Sequence, residues 1–214
     1  GSGATPIVSG SVFLELNWGS ASSPARTGGD FVFSGFTITH SSTGAWFNCT
    51  PTTNDDPNYP YARFRDIIFD DITYTNTAAS GEAYFMSAQG VVGRGMSFSN
   101  VHFWDCSFAM GNTAKHALFT TADQWFGVFG GSISGGNGSL SQDHHIYSNI
   151  LLHQCFRYIS FGNGSKGFCI NGNAHNDASL VQYYLCDGCD VTGTQNGFDF
   201  SNSNNDPLLS GRFR

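Results

Sequence analysis

Short apolar stretches recur along this chain, each bounded by Gly, Asn, Asp or Ser. The nonapeptide Asp66-Ile67-Ile68-Phe69-Asp70-Asp71-Ile72-Thr73-Tyr74 lies over Asn100-Val101-His102-Phe103-Trp104-Asp105-Cys106-Ser107-Phe108. Both read polar, apolar, any, apolar, any, polar, small apolar, any, apolar. Asn149 to Cys155 has the same form, with Cys155 placed as Cys106 is. Tyr183 to Val191 follows more loosely with Cys189, and weaker copies start at Val32 and Gly127. Successive copies begin 22 to 34 residues apart, a period that signals stacked repeats rather than independent elements.

A second apolar segment lies between successive copies. These segments read Ala45-Trp46-Phe47-Asn48-Cys49, Ala83-Tyr84-Phe85-Met86-Ser87 and Ala117-Leu118-Phe119-Thr120-Thr121. They continue as His144-His145-Ile146-Tyr147-Ser148, Phe168-Cys169-Ile170-Asn171-Gly172 and Phe198-Asp199-Phe200-Ser201-Asn202, with Val12 to Asn17 as a first member. Each is short, alternating, and rich in aromatic or β-branched residues, which is strand chemistry bounded by turn chemistry. No segment carries a 3.6-residue period, so helices are expected to be minor.

A unit with two or three short strands cannot bury its own apolar face, but stacking the units buries it in one central column. Neighbouring strands then pair in parallel about 4.8 Å apart. Matching residues form ladders: Cys106, Cys155 and Cys189 in one inward column, and Phe47, Phe85, Phe119, Ile146, Ile170 and Phe200 in another. Asp105 aligns with Asp71 one coil on, as in a turn ladder. The expected fold is all-β, a single-stranded right-handed parallel β-helix of about six to eight coils. The rival is an antiparallel sandwich or barrel, for which Asn137-Gly138, Asn163-Gly164, Asn171-Gly172 and Asn196-Gly197 would supply hairpin turns.

On these repeats the chain resembles the right-handed parallel β-helix, or pectate-lyase-like, superfamily over residues 10–206. That superfamily includes polysaccharide lyases, pectin-type glycoside hydrolases, alginate epimerases and bacteriophage tailspikes. The resemblance implies a polysaccharide partner and an extracellular or virion-surface location. The Asn-Thr-Asp, Gly-His-Gly and Arg-Ile-Lys motifs of the pectin hydrolases are absent. So are the Arg-x-Pro-x-x-Arg motif and calcium-binding aspartates of the classical pectate lyases. Asp143-His144-His145 only echoes the Asp-Pro-His-Asp of the epimerases. Residues 1–9 read as a tag remnant or disordered leader, and 207–214 as an apolar tail. An open end of such a column is a bare strand edge, which a homotrimer of the tailspike kind would cover.

Charge narrows the partners. Charged residues make up 12 % of the chain and the formal net charge is −7, with Lys115 and Lys166 the two lysines. Nucleic acid is an unfavourable partner for such a surface. No apolar run approaches the roughly 20 residues needed to span a bilayer. The six cysteines are too sparse for a disulfide-built miniprotein. They read as buried free thiols, with a disulfide or a metal site as rarer alternatives. No metal or other cofactor is required. Calcium is left open, because it could bridge an acidic chain to an acidic polymer.

Candidate chemistry follows from the alternation. If Phe or Ile points inward in each second segment, its neighbours form an outward stripe. Trp46, Asn48, Tyr84, Asn171 and Asp199 are then candidates to hold sugar, through aromatic platforms and amide or carboxylate edges. The densest polar cluster is Gln142 to Tyr147, where Asp143, His145 and Tyr147 share a face and His144 points away. A lyase acting on a uronic-acid polymer needs a base, an acid and a positive charge for the carboxylate. His145 and Tyr147 fit the first two roles, with Asp143 beside them and Arg157 or Lys166 as neutraliser. The expected activity is therefore cleavage of a glycan along an exposed groove, by such a lyase or by a hydrolase built on aspartates from different coils. The alternative is a non-catalytic glycan-binding or shaft segment of a spike or adhesin.

Overall fold

The computed structural model describes residues 7–9, 14–15, 27–49, 62–78, 83–89, 96–111, 116–121, 123–136, 144–150, 153–162, 168–174, 182–192, 196–202 and 209–214. Numbered along the chain, its strands fall into three sheets of seven. The first sheet holds β1 (Ile7–Ser9), β4 (Thr37–His40), β7 (Thr73–Asn76), β10 (Ser107–Met110), β13 (Ser132–Gly135), β16 (Ser160–Phe161) and β19 (Asp190–Val191). The second holds β2 (Leu14–Glu15), β5 (Gly44–Cys49), β8 (Ala83–Gln89), β11 (Leu118–Thr121), β14 (Ile146–Ile150), β17 (Phe168–Ala174) and β20 (Asn196–Asn202). The third holds β3 (Thr27–Ser34), β6 (Ala62–Asp70), β9 (Met96–Trp104), β12 (Asp123–Phe129), β15 (His153–Arg157), β18 (Gln182–Asp187) and β21 (Leu209–Phe213).

Consecutive strands always belong to different sheets, and the pairings within each sheet are parallel. Parallel neighbours cannot be joined by a hairpin, so the chain passes through the other two sheets before it returns. This is the arrangement of a parallel β-solenoid, and it overturns the antiparallel rival. Asn171-Gly172 and Asn196-Gly197 lie inside β17 and β20, while Asn137-Gly138 and Asn163-Gly164 lie outside the described residues. The strand Ile7–Ser9 falls within the segment read as a leader and pairs with β4. Leu209–Phe213 falls within the segment read as a tail and pairs with β18.

The core is a set of ladders. Phe33, Phe69 and Phe103 occupy one register position of the third sheet. Their rings stack at 5.2 Å and 4.8 Å between centroids. Phe85 from the second sheet and Phe108 from the first meet this column edge-on, and Tyr74 meets Phe85 edge-on in turn, all as fully buried rings. Such pairs add to simple area burial. Each rung therefore buries its apolar side chains against the rungs above and below.

Two expected columns are corrected. The second-sheet register aligns Phe47, Met86, Leu118, Ile146, Ile170 and Phe198, so Phe85, Phe119 and Phe200 are one or two places off it. The cause is a corner one residue earlier. Trp46, Phe85, Ala117, His145 and Cys169 precede members of that column and are buried as well. The amides of Phe85 and Met86 both bond the Ala117 carbonyl, and those of Ala117 and Leu118 both bond the His145 carbonyl. Two residues thus oppose one, as in a bulge, and both side chains can turn inward. The cysteine column is also split. Cys106 and Cys189 share a corner position with Ile72, Gly131 and Ile159. Cys155 instead stands level with Gly127 and Leu185, because His153, not Asn149, is the register partner of Trp125 and so of Asn100.

The turn ladder read from Asp71 and Asp105 is present. Between the third and first sheets, Gly35, Asp71, Asp105, Gly130, Tyr158 and Gly188 succeed one another, all with φ between 48° and 71°. Each donates its amide to a carbonyl in the next rung, as Asp71 does to Trp104 at 3.0 Å. The left-handed conformation suits Gly and is tolerated by Asp. Tyr158 is the large side chain in this row, and backbone strain concentrates there.

Candidate functional site

The corner geometry decides where the candidate residues of the second sheet go. Trp46 and His145, expected on the outward stripe, are buried with 5 % and 2 % of their surface exposed. Trp46 stacks on Phe85 at 5.4 Å. His145 stacks on Phe161 at 5.9 Å, and its Nε2 lies 2.9 Å from the Gly135 carbonyl oxygen. Burial pushes its imidazole down to about 4, so the ring is neutral at neutral pH and faces the core.

His144 takes the place expected for His145. Its ring lies 6.0 Å from Tyr147 and 5.7 Å from His116, nearly parallel to the latter. His116 Nδ1 sits 3.0 Å from the His144 carbonyl oxygen and 3.2 Å from its amide nitrogen, which fixes one ring to the next rung's backbone. Tyr84 joins at 5.8 Å from His116, and Tyr147 lies 5.5 Å from the same ring. Two imidazoles and two phenols thus form one cluster on the second sheet. The histidines are buried, and the tyrosines half-buried. Sequence reasoning missed His116. It occupies the place of Tyr84 and His144 one rung away, but it lies one residue outside the apolar segment used to find the stripe.

Asn48, Tyr147, Asn171 and Asp199 do fall in one register row, through Ser87 and Phe119. The side chains of Asn48, Asn171 and Asp199 lie outside the described residues, as do Asp143 and Lys166 altogether. Arg157 belongs to β15 in the third sheet, whereas Tyr147 belongs to β14 in the second. Its ion-pair partner is Asp187, with Arg157 Nε 3.8 Å from Asp187 Oδ2.

That ion pair lies in a row with exposed and half-buried members at the end of the third sheet. Along the last residue of the third-sheet strands run Asp70, Trp104, Phe129, Arg157 and Asp187 in register. Trp104 is 43 % exposed and stacks on Phe129 at 4.3 Å with 17° between the rings. Phe129 lies over Gly127, where an added Cβ would come within 2.5 Å of the ring. His102 meets the Phe129 ring edge-on at 5.7 Å. Ser34 donates to Asp70 at 3.2 Å one strand further along. Tyr158 follows Arg157 in the left-handed corner and is 67 % exposed. An aromatic platform is therefore flanked by carboxylates, a guanidinium and a phenol. The sequence signal for this row is that Trp104 and Phe129 both end a third-sheet strand at the same repeat position, outside the second-sheet stripe.

No protein-family model, curated protein or solved structure matches the chain. Among the described residues no group of three His, Cys, Asp or Glu side chains is placed to hold a metal ion. No helix there is long and apolar enough to cross a membrane.

Proposed function

We propose that this protein is a polysaccharide-binding β-helix, right-handed and of about six to eight coils, in the manner of the pectate-lyase-like superfamily. The glycan lies along the end row of the third sheet. One observation carries this reading: Trp104, 43 % exposed and stacked on Phe129, stands in one row between Asp70 and the Arg157–Asp187 pair. Sugar rings have apolar faces and hydroxyl edges, so an aromatic platform with polar flanks suits them. The row crosses strands about 4.8 Å apart, which gives a polymer several contacts of similar kind. The chain acts outside cells or on a virion surface, where such polymers occur. Calcium bridges it to the polymer if the polymer is acidic.

The test is retention on gels that carry neutral or uronic-acid polymers. The wild type is retained by at least one polymer, and Trp104→Ala weakens that retention about tenfold or more, or roughly 1.4 kcal/mol. Failure to bind any polymer, or retention indifferent to Trp104, would reject the reading.

The second reading is a lyase or hydrolase, favoured by the Tyr84–His116–His144–Tyr147 cluster. A phenol and two imidazoles packed side by side supply an acid and a base on one patch. New double-bond absorbance that Tyr147→Phe abolishes would support a lyase. Reducing ends without absorbance would support a hydrolase.

A further inference from the structure

The glycan reading leaves the Cys186-Asp187-Gly188-Cys189 corner unused. Cys186 ends the interior run of β18, level with Phe156, and is 3 % exposed. Cys189 follows the corner in the position of Ile159 and Cys106, and is half-buried. Gly188 makes the bend with φ 62°. Both thiols therefore point inward from opposite sides of one tight turn. Both pack into the core at this corner, where Cys189 Sγ reaches the Asp187 carbonyl oxygen at 3.9 Å. Residues three apart across such a turn fall within the Cα separation that a disulfide accepts, about 4.4–6.8 Å.

We propose that Cys186 and Cys189 form a dithiol site that a low-molecular-weight disulfide closes to an intramolecular disulfide across this corner. Cys189 attacks first. Its sulfur bonds one sulfur of the small disulfide, whose S–S bond breaks, and one small thiol leaves with a proton. The Cys186 sulfur then attacks Cys189 Sγ, loses its own proton, and expels the second small thiol. Two protein thiols are oxidised and one small disulfide is reduced to two thiols.

The order follows from the surroundings. The thiolate is the attacking species. The adjacent Cys186 thiol holds Cys189 below the usual thiol range, and Cys189 together with burial drives Cys186 above it. Burial raises Cys155 as well, and it pushes Cys106 and Cys169 up to about 12. Exposure and thiolate character thus single out Cys189, and the nearest inward thiol resolves the mixed disulfide.

Incubation of the full chain with oxidised glutathione, acid quench, alkylation and peptide mass mapping tests this. The native protein should lose two hydrogens in the peptide that carries Cys186 and Cys189, while Cys106 and Cys169 stay alkylatable. Cys186→Ser should stop at a stable glutathione adduct on Cys189, and Cys189→Ser should leave Cys186 unmodified. A lasting adduct on native Cys189, a bridge that includes Cys155, or no reaction before denaturant is added would each overturn the proposal. Near-UV circular dichroism of the variants separates loss of reaction from loss of fold.

Discussion

Burial holds the His145 imidazole at about 4, well under the ordinary value of 6.5. A histidine whose folded value is depressed binds its proton in the unfolded chain first. Its contribution to stability is therefore full above about 6.5 and is lost as pH falls towards 4. From pH 7 to pH 5 this one group should cost about 2 kcal/mol. Burial pushes His40 in the same direction. Replacing His145 with Phe suits a corner position that Trp46 and Phe85 occupy in neighbouring rungs, and it removes the titration. Urea midpoints at both pH values should then differ less in His145→Phe than in the wild type. An unchanged pH dependence would show that the imidazole is not enclosed. The same residue marks a limit of the sequence. Strict alternation puts His145 outside with Tyr147, but two successive inward residues at the corner shift it inside. Nothing in the composition of His144-His145-Ile146 says which histidine precedes the bend.

At the scale of an element, the left-handed row between the third and first sheets joins stability to the proposed site. Five of its six described members are Gly or Asp. Tyr158 keeps a conformation that costs an ordinary side chain roughly 1–2 kcal/mol, and 67 % of its surface is exposed. Strain held at an exposed aromatic is a functional hypothesis. Tyr158→Gly should be as stable as the wild type or up to about 1 kcal/mol more stable, after the entropy of an unfolded glycine is set against the strain. It should also bind the polymer less tightly. Thermal unfolding and gel retention measure the two effects, and a variant that is clearly destabilised or binds unchanged defeats the idea. This row was partly legible: Asp71 and Asp105 align in the repeat, and short polar residues mark turns. Tyr158 was not, because matching Cys155 with Cys106 puts Asn149 level with Asn100, whereas the register puts His153 there. Cysteine is small and apolar enough for an outer row or a corner, so it is a poor register mark. The second-sheet strands were legible because aromatic and β-branched alternation flanked by Asn and Gly survives every insertion between rungs.

For the molecule as a whole, stability should spread from rung to rung, since in a stacked architecture each unit leans chiefly on its neighbours. Phe103 is the place to test this. It is fully buried, stacks on Phe69 at 4.8 Å, and meets Phe85, Phe108 and Phe126 at 6.0–6.1 Å. Truncation to Ala removes a ring that nothing adjacent can replace, and should cost about 3–5 kcal/mol. That loss is a large part of the 5–15 kcal/mol that holds a typical domain. If coupling runs between adjacent rungs, the damage is local at first. Hydrogen exchange in Phe103→Ala should rise most in residues 67–70, 101–108 and 126–129, which hold the facing rungs. It should rise least in residues 182–187, which lie beyond β15 in the same sheet. Equal loss of protection from β3 to β18 would mean that the three sheets unfold as one unit, and the additive picture of stacked rungs would have to be abandoned. The distinction bears on the proposed glycan row as well. A row assembled from one residue per rung keeps its spacing only while neighbouring rungs stay in register, so Phe103→Ala should weaken polymer retention although Trp104 itself is intact.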